Sequence, residues 1–454
     1  MTAVGRINRA VGPTLMGRVR RRAEFGLILL VLVIIGGAYT LASLGQTSSV
    51  PANIGPFLAV IGGLLLFAHL AVRRLAPDAD GLLLPLVALL NGIGYVFIVR
   101  LKPDLAALQA TWTAVGIVGF TLTLLVVRRA RDLERYRYTF LLIGLALLLL
   151  PLVPGIGVSI RGARIWAAVG PISFQPGEFA KIAFALFFAS YLVEKRELLS
   201  MATWPKFRPL LPDLKHLGPV LLAWGVAILV MTMQKDLGSS LLLFVLFMSM
   251  LYVATGRPAY PAVGAVLFGG AAYGAWTQFA HVQTRVRVWL NPWPEALGRG
   301  GQTIQAWYAM AWGGITGTGI GLGRPDKVYV VESDMIFAAI GEELGMLGAT
   351  AILITYLLIV GCGLRIATRA DHAFDKLLAA GLTTLLGFQA FVIIAGVTRL
   401  LPLTGVVLPF VSYGGSALVA NYVLIALLLR TSDDVTKREA RQQGTGRAKA
   451  GAVH

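Results

Sequence analysis

EFGLILLVLVIIGGAYTLASL, residues 24–44, is an apolar run of the kind that crosses a lipid bilayer. A helix needs roughly 20 apolar residues to span the hydrocarbon core, and this run is long enough. Arginines precede it, as in a signal peptide, but it is too long for the apolar part of one, and further apolar runs follow. We therefore interpret it as the first of several retained transmembrane helices.

The composition agrees with a multi-pass membrane protein. Of the 454 residues, 57% are hydrophobic and only 14% are charged, whereas about 25% are charged in a typical soluble protein. The net charge is +18, but the basic residues stand in short loops between apolar runs. That arrangement encodes membrane topology, so we exclude nucleic acid as a partner. The only cysteine, Cys362, cannot form an intrachain disulfide.

Twelve apolar runs predict an all-α fold with about twelve spans and both termini on one side of the membrane. That side receives 28 of the 40 Lys and Arg residues, the opposite side receives 11, and Lys181 falls within a span. The positive-inside rule therefore assigns both termini to the cytoplasm. The predicted spans are 24–44, 54–72, 81–99, 109–127, 138–153, 178–194, 217–234, 237–254, 260–279, 344–363, 377–397 and 408–429.

The same pattern divides the chain into four parts. The ends are a basic cytoplasmic tail, 1–23, and a polar tail, 431–454, whose composition predicts disorder. Between them lie a first helix pair, 24–80, and a transmembrane core, 81–430. The core carries one large extracellular loop, 280–343.

The stretch RGARIWAAVGPISFQPGEFAK, residues 161–181, places ionisable side chains against a span, where they are costly and are candidates for function. Glu178 and Lys181 stand three residues apart, so they share a helix face and can pair. One interpretation is that Glu178 and Lys181 neutralise each other at the start of a helix. The other is that this pair and Arg164 shape a polar cavity. Both interpretations can hold together. In the turn between two later spans, Asp236 can cap the helix that follows it.

The predicted extracellular loop contains NPWPEALGRGGQ, residues 291–302, preceded by Arg285 and Arg287. Its two prolines and three glycines exclude the interior of a helix or strand. Glu295 is the only acid between residues 280 and 325. A lone carboxylate in a stiff loop beside basic side chains is a candidate for proton transfer.

Two further features follow in the same loop. The run GITGTGIGLGR, residues 314–324, has a glycine at nearly every second position. Its amides can approach a phosphate, with Arg324 and Lys327 beside them, or it is simply a flexible loop. Downstream, we expect Ser333 to cap a helix that carries Asp334 in its first turn.

The stretch TRLLPLTGVVLPFVSYGGS, residues 398–416, breaks the helices around it with prolines and glycines. Broken helices at membrane depth are tolerated where they pack in protein or line a wet cavity. Arg399 stands at the predicted outer membrane edge, and Thr404 and Ser412 can bind a polar headgroup. The alternative is a loop that dips back for packing. Arg164, Arg285, Arg287 and Arg399 together suit a phosphorylated lipid head.

Several of these stretches together resemble the SEDS family (shape, elongation, division and sporulation), which includes RodA, FtsW and SpoVE. The resemblance covers about residues 81–430 and implies a ten-helix core preceded by two extra N-terminal helices, an extension also found in actinobacterial RodA-like members. The motifs that carry it are GARIW and QPGEFAK (162–166 and 175–181), QKDLGSS (234–240), the NPW loop (291–302), SDMIFAAIGEELG (333–345) and TRLLPLTGVVLPFVSYGGS (398–416).

The resemblance implies a glycosyltransferase that polymerises lipid II into peptidoglycan at the outer face of the bacterial cytoplasmic membrane, with a class B penicillin-binding protein as partner. The family loop reads NP..DP.G.GYQ, and its Asp is the acid–base residue. This chain has Glu295 there, Ala296 for the proline and Gly301 for the tyrosine. Glu295 is therefore either a repositioned base or the mark of a weakened paralogue. Gln302, which closes the motif, joins the predicted substrate-binding residues.

Two other functions stay open at this point. A flippase for the lipid-linked precursor suits twelve spans, but we find no matching halves of the kind that many transporters show. A non-catalytic scaffold for a penicillin-binding protein suits the lost Asp. The one cofactor that the sequence leaves open is a divalent cation, Mg²⁺ or Mn²⁺, which would assist the departure of the pyrophosphate. The scattered histidines predict no fixed metal site.

Overall fold

The computed structural model describes residues 13–160, 163–170, 172–200, 214–234 and 236–451. Parts of both predicted tails, 1–12 and 452–454, lie outside these residues. The helices are α1 (Pro13–Thr47), α2 (Ile54–Leu75), α3 (Leu83–Leu101), α4 (Ala106–Val126), α5 (Arg137–Leu149), α6 (Pro176–Ser200), α7 (Leu214–Met233), α8 (Leu237–Thr255), α9 (Ala259–Gln278), α10 (Ala280–Leu290), α11 (Gly301–Gly313), α12 (Ile336–Arg369), α13 (Ala373–Val397) and α14 (Gly415–Gly451).

The predicted helical membrane fold is confirmed. Among the described residues, ten helices are long and apolar enough to cross a membrane. The predicted spans 217–234 and 260–279 coincide with α7 and α9, which are not among those ten. The count of twelve spans and the cytoplasmic placement of both termini stay predictions. Asp236 caps α8 as expected, because its carboxylate accepts a hydrogen bond from the Ser239 amide at 3.0 Å.

The helices pack as one bundle around a continuous apolar core. α14 packs along α4, α12 along α13, and α5 along α6, while the N-terminal pair covers the core through contacts of α1 with α3 and of α2 with α4. Large apolar side chains on the outward faces of α1 and α2, such as Val33 and Phe67, are exposed. Exposed apolar faces on long helices are what a lipid environment requires.

A three-stranded antiparallel sheet between α5 and α6 was not predicted. Its strands are β1 (Gly157–Ile160), β2 (Ala163–Val169) and β3 (Ile172–Phe174), in the order β1-β2-β3. The pairing of Val158 with Trp166 and of Ala168 with Ser173 fixes the register. The strands are too short for an alternating pattern to be recognised, so only the paired hairpins reveal them.

The membrane part of the chain departs from helix at two places. α12 contains a break at Gly345, whose φ of 64° is not helical. Between α13 and α14 the chain runs without helix through residues 398–414, which we call the re-entrant segment. Gly94 of α3 lies against it so closely that a Cβ there would be 2.5 Å from the carbonyl oxygen of Val411. Residues 408–412 of the segment are buried in protein, as irregular backbone at membrane depth must be, whereas residues 398–400 are exposed.

The last helix extends into the tail 431–454, whose composition predicts disorder. α14 continues to Gly451, and Asp433 and Asp434 are buried. Asp433 accepts from the Asp78 amide at 2.8 Å and pairs with Arg430 at 3.4 Å, while Asp434 accepts from the Ala130 amide at 2.8 Å. The polar residues of this tail therefore make hydrogen bonds with two connections, the one between α2 and α3 and the one between α4 and α5.

We expect these contacts to stabilise the whole bundle. A chain that ends at residue 430 loses Asp433 and leaves the Arg430 guanidinium buried without its carboxylate, which costs about 3 kcal/mol when a buried pair is broken. A chain that ends at residue 442 keeps every contact described above and serves as the matched control. The melting temperature of the detergent-purified protein should fall in the first chain and stay unchanged in the second. Equal melting temperatures in the two shortened chains would contradict this account.

Candidate functional site

A polar cavity of about 400 Å³ lies between α10, the start of α11 and the re-entrant segment. We call it the arginine cavity. Three guanidinium groups and one carboxylate face it, so its net charge is positive. It is lined by His281, Thr284, Arg285, Val288, Trp289, Arg299, Gln302, Thr303, Asp334, Gly396, Arg399, Leu401, Leu403 and Gly405.

Helix α10 supplies one wall. The residues at positions 281, 284, 285 and 288 recur at helical spacing, so they share the face that meets the cavity. Arg285 donates from Nη1 to the carbonyl oxygens of Leu403 and Thr404, at 3.1 and 2.9 Å. Burial lowers the pKa of Arg285, while Asp236 and Asp334 nearby raise it. Two acids thus help to keep a buried cation charged.

Arg399 and α10 hold each other by reciprocal hydrogen bonds. The Arg399 carbonyl accepts from the Trp289 indole at 3.0 Å, and its guanidinium donates to the carbonyls of Trp289 and Leu290, at 3.2 and 2.6 Å. The guanidinium also stacks over the Trp307 ring at 4.9 Å from its centroid. Arg399 has a φ of 67°, which is uncommon for a side-chain-bearing residue and costs about 1 kcal/mol or more. These contacts offset that strain.

Asp334 is the carboxylate that lines the cavity. Its Oδ1 accepts from the Ser333 hydroxyl at 3.1 Å. The expectation that Ser333 caps a helix is wrong, because α12 begins at Ile336 and Met335 precedes it without a side-chain cap. Gln302 also lines the cavity and donates to the Tyr329 carbonyl at 2.9 Å.

Glu295 lies beside the cavity rather than in its lining. It ends a short 3₁₀ turn, Trp293–Glu295, and is half-buried. Its carbonyl accepts from the amides of Gly298 and Gly300, at 2.9 and 3.0 Å, which closes the loop tightly. The same loop brings Arg299 into the lining, where its Nη1 is 3.3 Å from the Thr284 hydroxyl. The structure therefore puts Glu295 on the loop that borders the site.

Glu178 and Lys181 form the predicted ion pair, deep in the bundle. The Lys181 ammonium lies 2.9 Å from Glu178 and donates to the Gln389 side chain at 3.1 Å. The space around them is only about 10 Å³. Gln389 donates in turn to the Val407 carbonyl of the re-entrant segment at 2.9 Å. The pair thus supports the segment from behind and does not line the arginine cavity.

Four other predicted site residues lie outside the lining. Ser412 is buried and donates to the Ser333 carbonyl at 2.6 Å, so its hydroxyl holds two segments together. Thr404 contributes its carbonyl to Arg285. Arg287 is exposed, because it is off the lining face of α10, and Arg164 is exposed on β2.

Sequence reasoning missed His281, Thr284, Trp289, Arg299 and Thr303. The helical spacing of His281, Thr284 and Arg285 is a signal that could have found the first two. Arg299 and Thr303 carry no such signal, since a loop and a helix start bring them in. Among the described residues, no group of three or more His, Cys, Asp or Glu side chains could hold a metal ion.

The fold and the cavity define a multi-pass membrane protein with a cation-rich pocket beside the re-entrant segment. The chain belongs to the FtsW/RodA/SpoVE family, because the family model, described as a cell cycle protein, matches residues 82–437. That membership places it in the bacterial cytoplasmic membrane.

Relatives and solved structures agree with this assignment. The peptidoglycan glycosyltransferase RodA of Mycobacterium tuberculosis is 42% identical over 424 residues, 91% of this chain and 90% of that protein. A probable peptidoglycan glycosyltransferase FtsW of Geobacter sulfurreducens is 35% identical over 320 residues, 70% of this chain and 83% of that protein.

Two solved structures share the fold. The crystal structure of Thermus thermophilus RodA has a TM-score of 0.55 at 26% identity and covers 78% of this chain and 97% of that one. A chain from a structure describing how a peptidoglycan synthase complex coordinates polymerization and crosslinking has a TM-score of 0.64 at 25% identity. It covers 79% of this chain and 98% of that one.

The buried pair yields a stability prediction. Lys181→Met should leave the Glu178 carboxylate buried without a cation and cost about 3–5 kcal/mol. The double variant Glu178→Gln/Lys181→Met removes both charges and should recover most of the lost melting temperature. Thermal unfolding of the purified protein measures both. A double variant as unstable as Lys181→Met would show that the pair's charge is not what matters.

Proposed function

We propose that this chain is a peptidoglycan glycosyltransferase that polymerises lipid II at the outer face of the cytoplasmic membrane. The observation that carries the proposal is the arginine cavity, which gathers Arg285, Arg299 and Arg399 beside the re-entrant segment. Its walls come from segments that the distribution of basic residues assigns to the outer side. Curated relatives named peptidoglycan glycosyltransferase, 35–42% identical, support the same activity.

The cavity suits the leaving group of the reaction. Lipid II carries its disaccharide on undecaprenyl pyrophosphate, and the pyrophosphate departs as an anion when the glycosidic bond forms. Guanidinium groups bind phosphate oxygens through paired, charge-assisted hydrogen bonds. Arg285 and Arg399 are held by backbone carbonyls, so they are oriented before the substrate arrives. Preorganised cations of this kind stabilise charge that develops in the transition state.

The proton from the acceptor sugar needs a base, and we assign this role to Glu295. The acceptor's 4-hydroxyl oxygen attacks C1 of the donor sugar while the bond from C1 to the pyrophosphate oxygen breaks. The hydroxyl proton passes to the Glu295 carboxylate, and the electron pair of the broken bond leaves with the pyrophosphate. Glu295 is the only acid in the loop that borders the cavity. The longer side chain, compared with aspartate, gives it reach from the rim.

The other predicted residues have supporting roles in this proposal. Gln302 and Asp334 line the cavity and are placed to orient the sugars. Arg164 and Arg287, which are exposed, meet the anionic substrate outside the lining. The backbone of Thr404 and the side chains of Ser412, Glu178 and Lys181 fix the re-entrant segment against its neighbours.

We also propose a class B penicillin-binding protein as the partner that crosslinks the new strands. The support is the similarity to a chain from a synthase complex described as coordinating polymerization and crosslinking. A polymerase alone makes uncrosslinked glycan, so a transpeptidase must act on its product. The exposed apolar surfaces of the membrane helices offer area for such a partner.

Polymerisation of lipid II by the purified protein, with and without its partner, tests the proposal. Glu295→Gln should lower the rate about 100-fold or more, the usual contribution of a general base. Glu295→Asp keeps the carboxylate and should retain more activity than the Gln variant. Asp334→Asn keeps a hydrogen-bond acceptor for Ser333 and should lose less than Glu295→Gln. Arg285→Lys tests the guanidinium, and should lower activity because an ammonium cannot make the paired contacts.

The outcomes separate the alternatives. Full activity of Glu295→Gln together with an inactive Asp334→Asn would move the base to Asp334. Transbilayer movement of labelled lipid II in liposomes, without polymer, would favour a flippase. Binding of lipid II without polymer under every partner condition would favour a scaffold.

A further inference from the structure

A second cavity, of about 420 Å³, lies on another face of α11. We call it the aromatic cavity. Gln302 and Thr303 of α11 face the arginine cavity, whereas Tyr308 and Trp312, farther along the helix and four residues apart, face the aromatic one. The rest of its wall comes from the glycine-rich run and from α12. The two cavities share no lining residue, so the aromatic cavity is a separate site.

Two cations border the aromatic cavity. Arg324 and Lys327 both line it and both are exposed. Within the described part of the chain, neither side chain forms an ion pair with a carboxylate. Glu342 is the one acid in the lining, and its Oε1 already accepts from the Arg324 amide at 2.7 Å. The two cations are therefore available to an anion from outside the chain.

Three amides of the glycine-rich run, which one sequence interpretation offered to a phosphate, are already bonded within the protein. The amides of Thr318 and Gly319 donate to the carbonyls of Glu342 and Glu343, at 2.9 and 3.1 Å. The amide of Gly321 donates to the Glu343 carboxylate at 3.1 Å. These donors are consumed inside the protein. The exposed cationic side chains in the lining are therefore the groups that an anion meets first.

The run instead forms a rigid wall. Arg100 of α3 pairs with Glu343 at 3.1 Å and donates to the Gly323 carbonyl at 2.9 Å. α1 packs against the other side so closely that a Cβ at Gly45 would be 2.6 Å from the Ile320 carbonyl. A buried ion pair and an extra helix thus hold a loop that shapes the aromatic cavity. Such a preformed wall lowers the ordering cost of binding a ligand.

The rim is apolar and exposed. Trp312 is 78% exposed, Leu322 65% and Tyr308 50%. Tyrosine and tryptophan are enriched where the bilayer meets water, at the level of the lipid headgroups. A cavity lined by two exposed cations and by exposed aromatic rings matches a molecule with an anionic head and an apolar chain.

We propose that the aromatic cavity binds the phosphate group of a membrane lipid. Arg324 and Lys327 hold the phosphate, and Tyr308, Trp312 and Leu322 border the chain. A phospholipid of the surrounding leaflet and an undecaprenyl phosphate carry the same chemistry. The aromatic cavity does not take part in the proposed glycosyl transfer. The lipid-binding proposal therefore does not depend on that reaction.

Photoreactive lipids test this site in the full-length protein. Analogues of phosphatidylglycerol and of undecaprenyl phosphate, each with a diazirine near the phosphate, are crosslinked to the purified protein, and the labelled peptides are identified by mass spectrometry. Labelling within residues 305–328 should fall about 10-fold or more in Arg324→Gln/Lys327→Gln, because each lost charge-assisted contact is worth at least one factor of ten. Lys102→Gln/Arg128→Gln removes the same charge from exposed positions elsewhere and should leave labelling unchanged.

The comparison between lipids identifies the source. Labelling by only one analogue supports the site and names its occupant, whereas labelling by both supports the site and shows that the shared phosphate is what it recognises. A diacylglycerol analogue, which lacks phosphate, should label it at least 10-fold less. Equal labelling by diacylglycerol, or unchanged labelling in the Arg324→Gln/Lys327→Gln variant, would overturn the proposal. Unchanged melting temperatures in both double variants verify folding, and polymerisation is assayed separately, so failure of one proposal does not imply failure of the other.

Discussion

The reciprocal bonding between Arg399 and α10 is the interaction on which the arginine cavity depends. The re-entrant segment has no helix to satisfy its backbone, and unsatisfied polar groups at membrane depth are costly. Trp289 and Arg285 bond its carbonyls, and Ser412 accepts from the Leu408 amide at 3.0 Å. Arg285 thus both satisfies carbonyls of the segment and brings positive charge to the cavity. Structural and functional demands are met by one set of contacts.

Much of the fold could be predicted because helices in lipid are continuous apolar runs. The predicted span 237–254 matches α8 (Leu237–Thr255), and the span 377–397 lies within α13. The sheet and the helical tail could not be predicted in the same way. Short strands carry too little periodicity, and the tail is ordered by contacts of Asp433 and Asp434 with residues more than 300 positions away. The composition of the tail does not indicate contacts with residues so distant in the sequence.

The site could be predicted in part, as a set of unusual residues. Sequence reasoning singled out Arg285, Arg399 and Asp334, and in the structure these three side chains line one cavity. The sequence could not distinguish these residues from Glu178 and Lys181, because a charged residue near a span can either line a pocket or pair inside the bundle. Only the three-dimensional structure shows which of the two each residue does.

A structure determined by cryo-electron microscopy, with lipid II bound to the Glu295→Gln variant, tests the central claim most directly. The account predicts pyrophosphate density between Arg285 and Arg399, with residue 295 within hydrogen-bonding distance of a sugar hydroxyl. Pyrophosphate density outside the arginine cavity, or residue 295 directed into solvent away from the sugars, would contradict it.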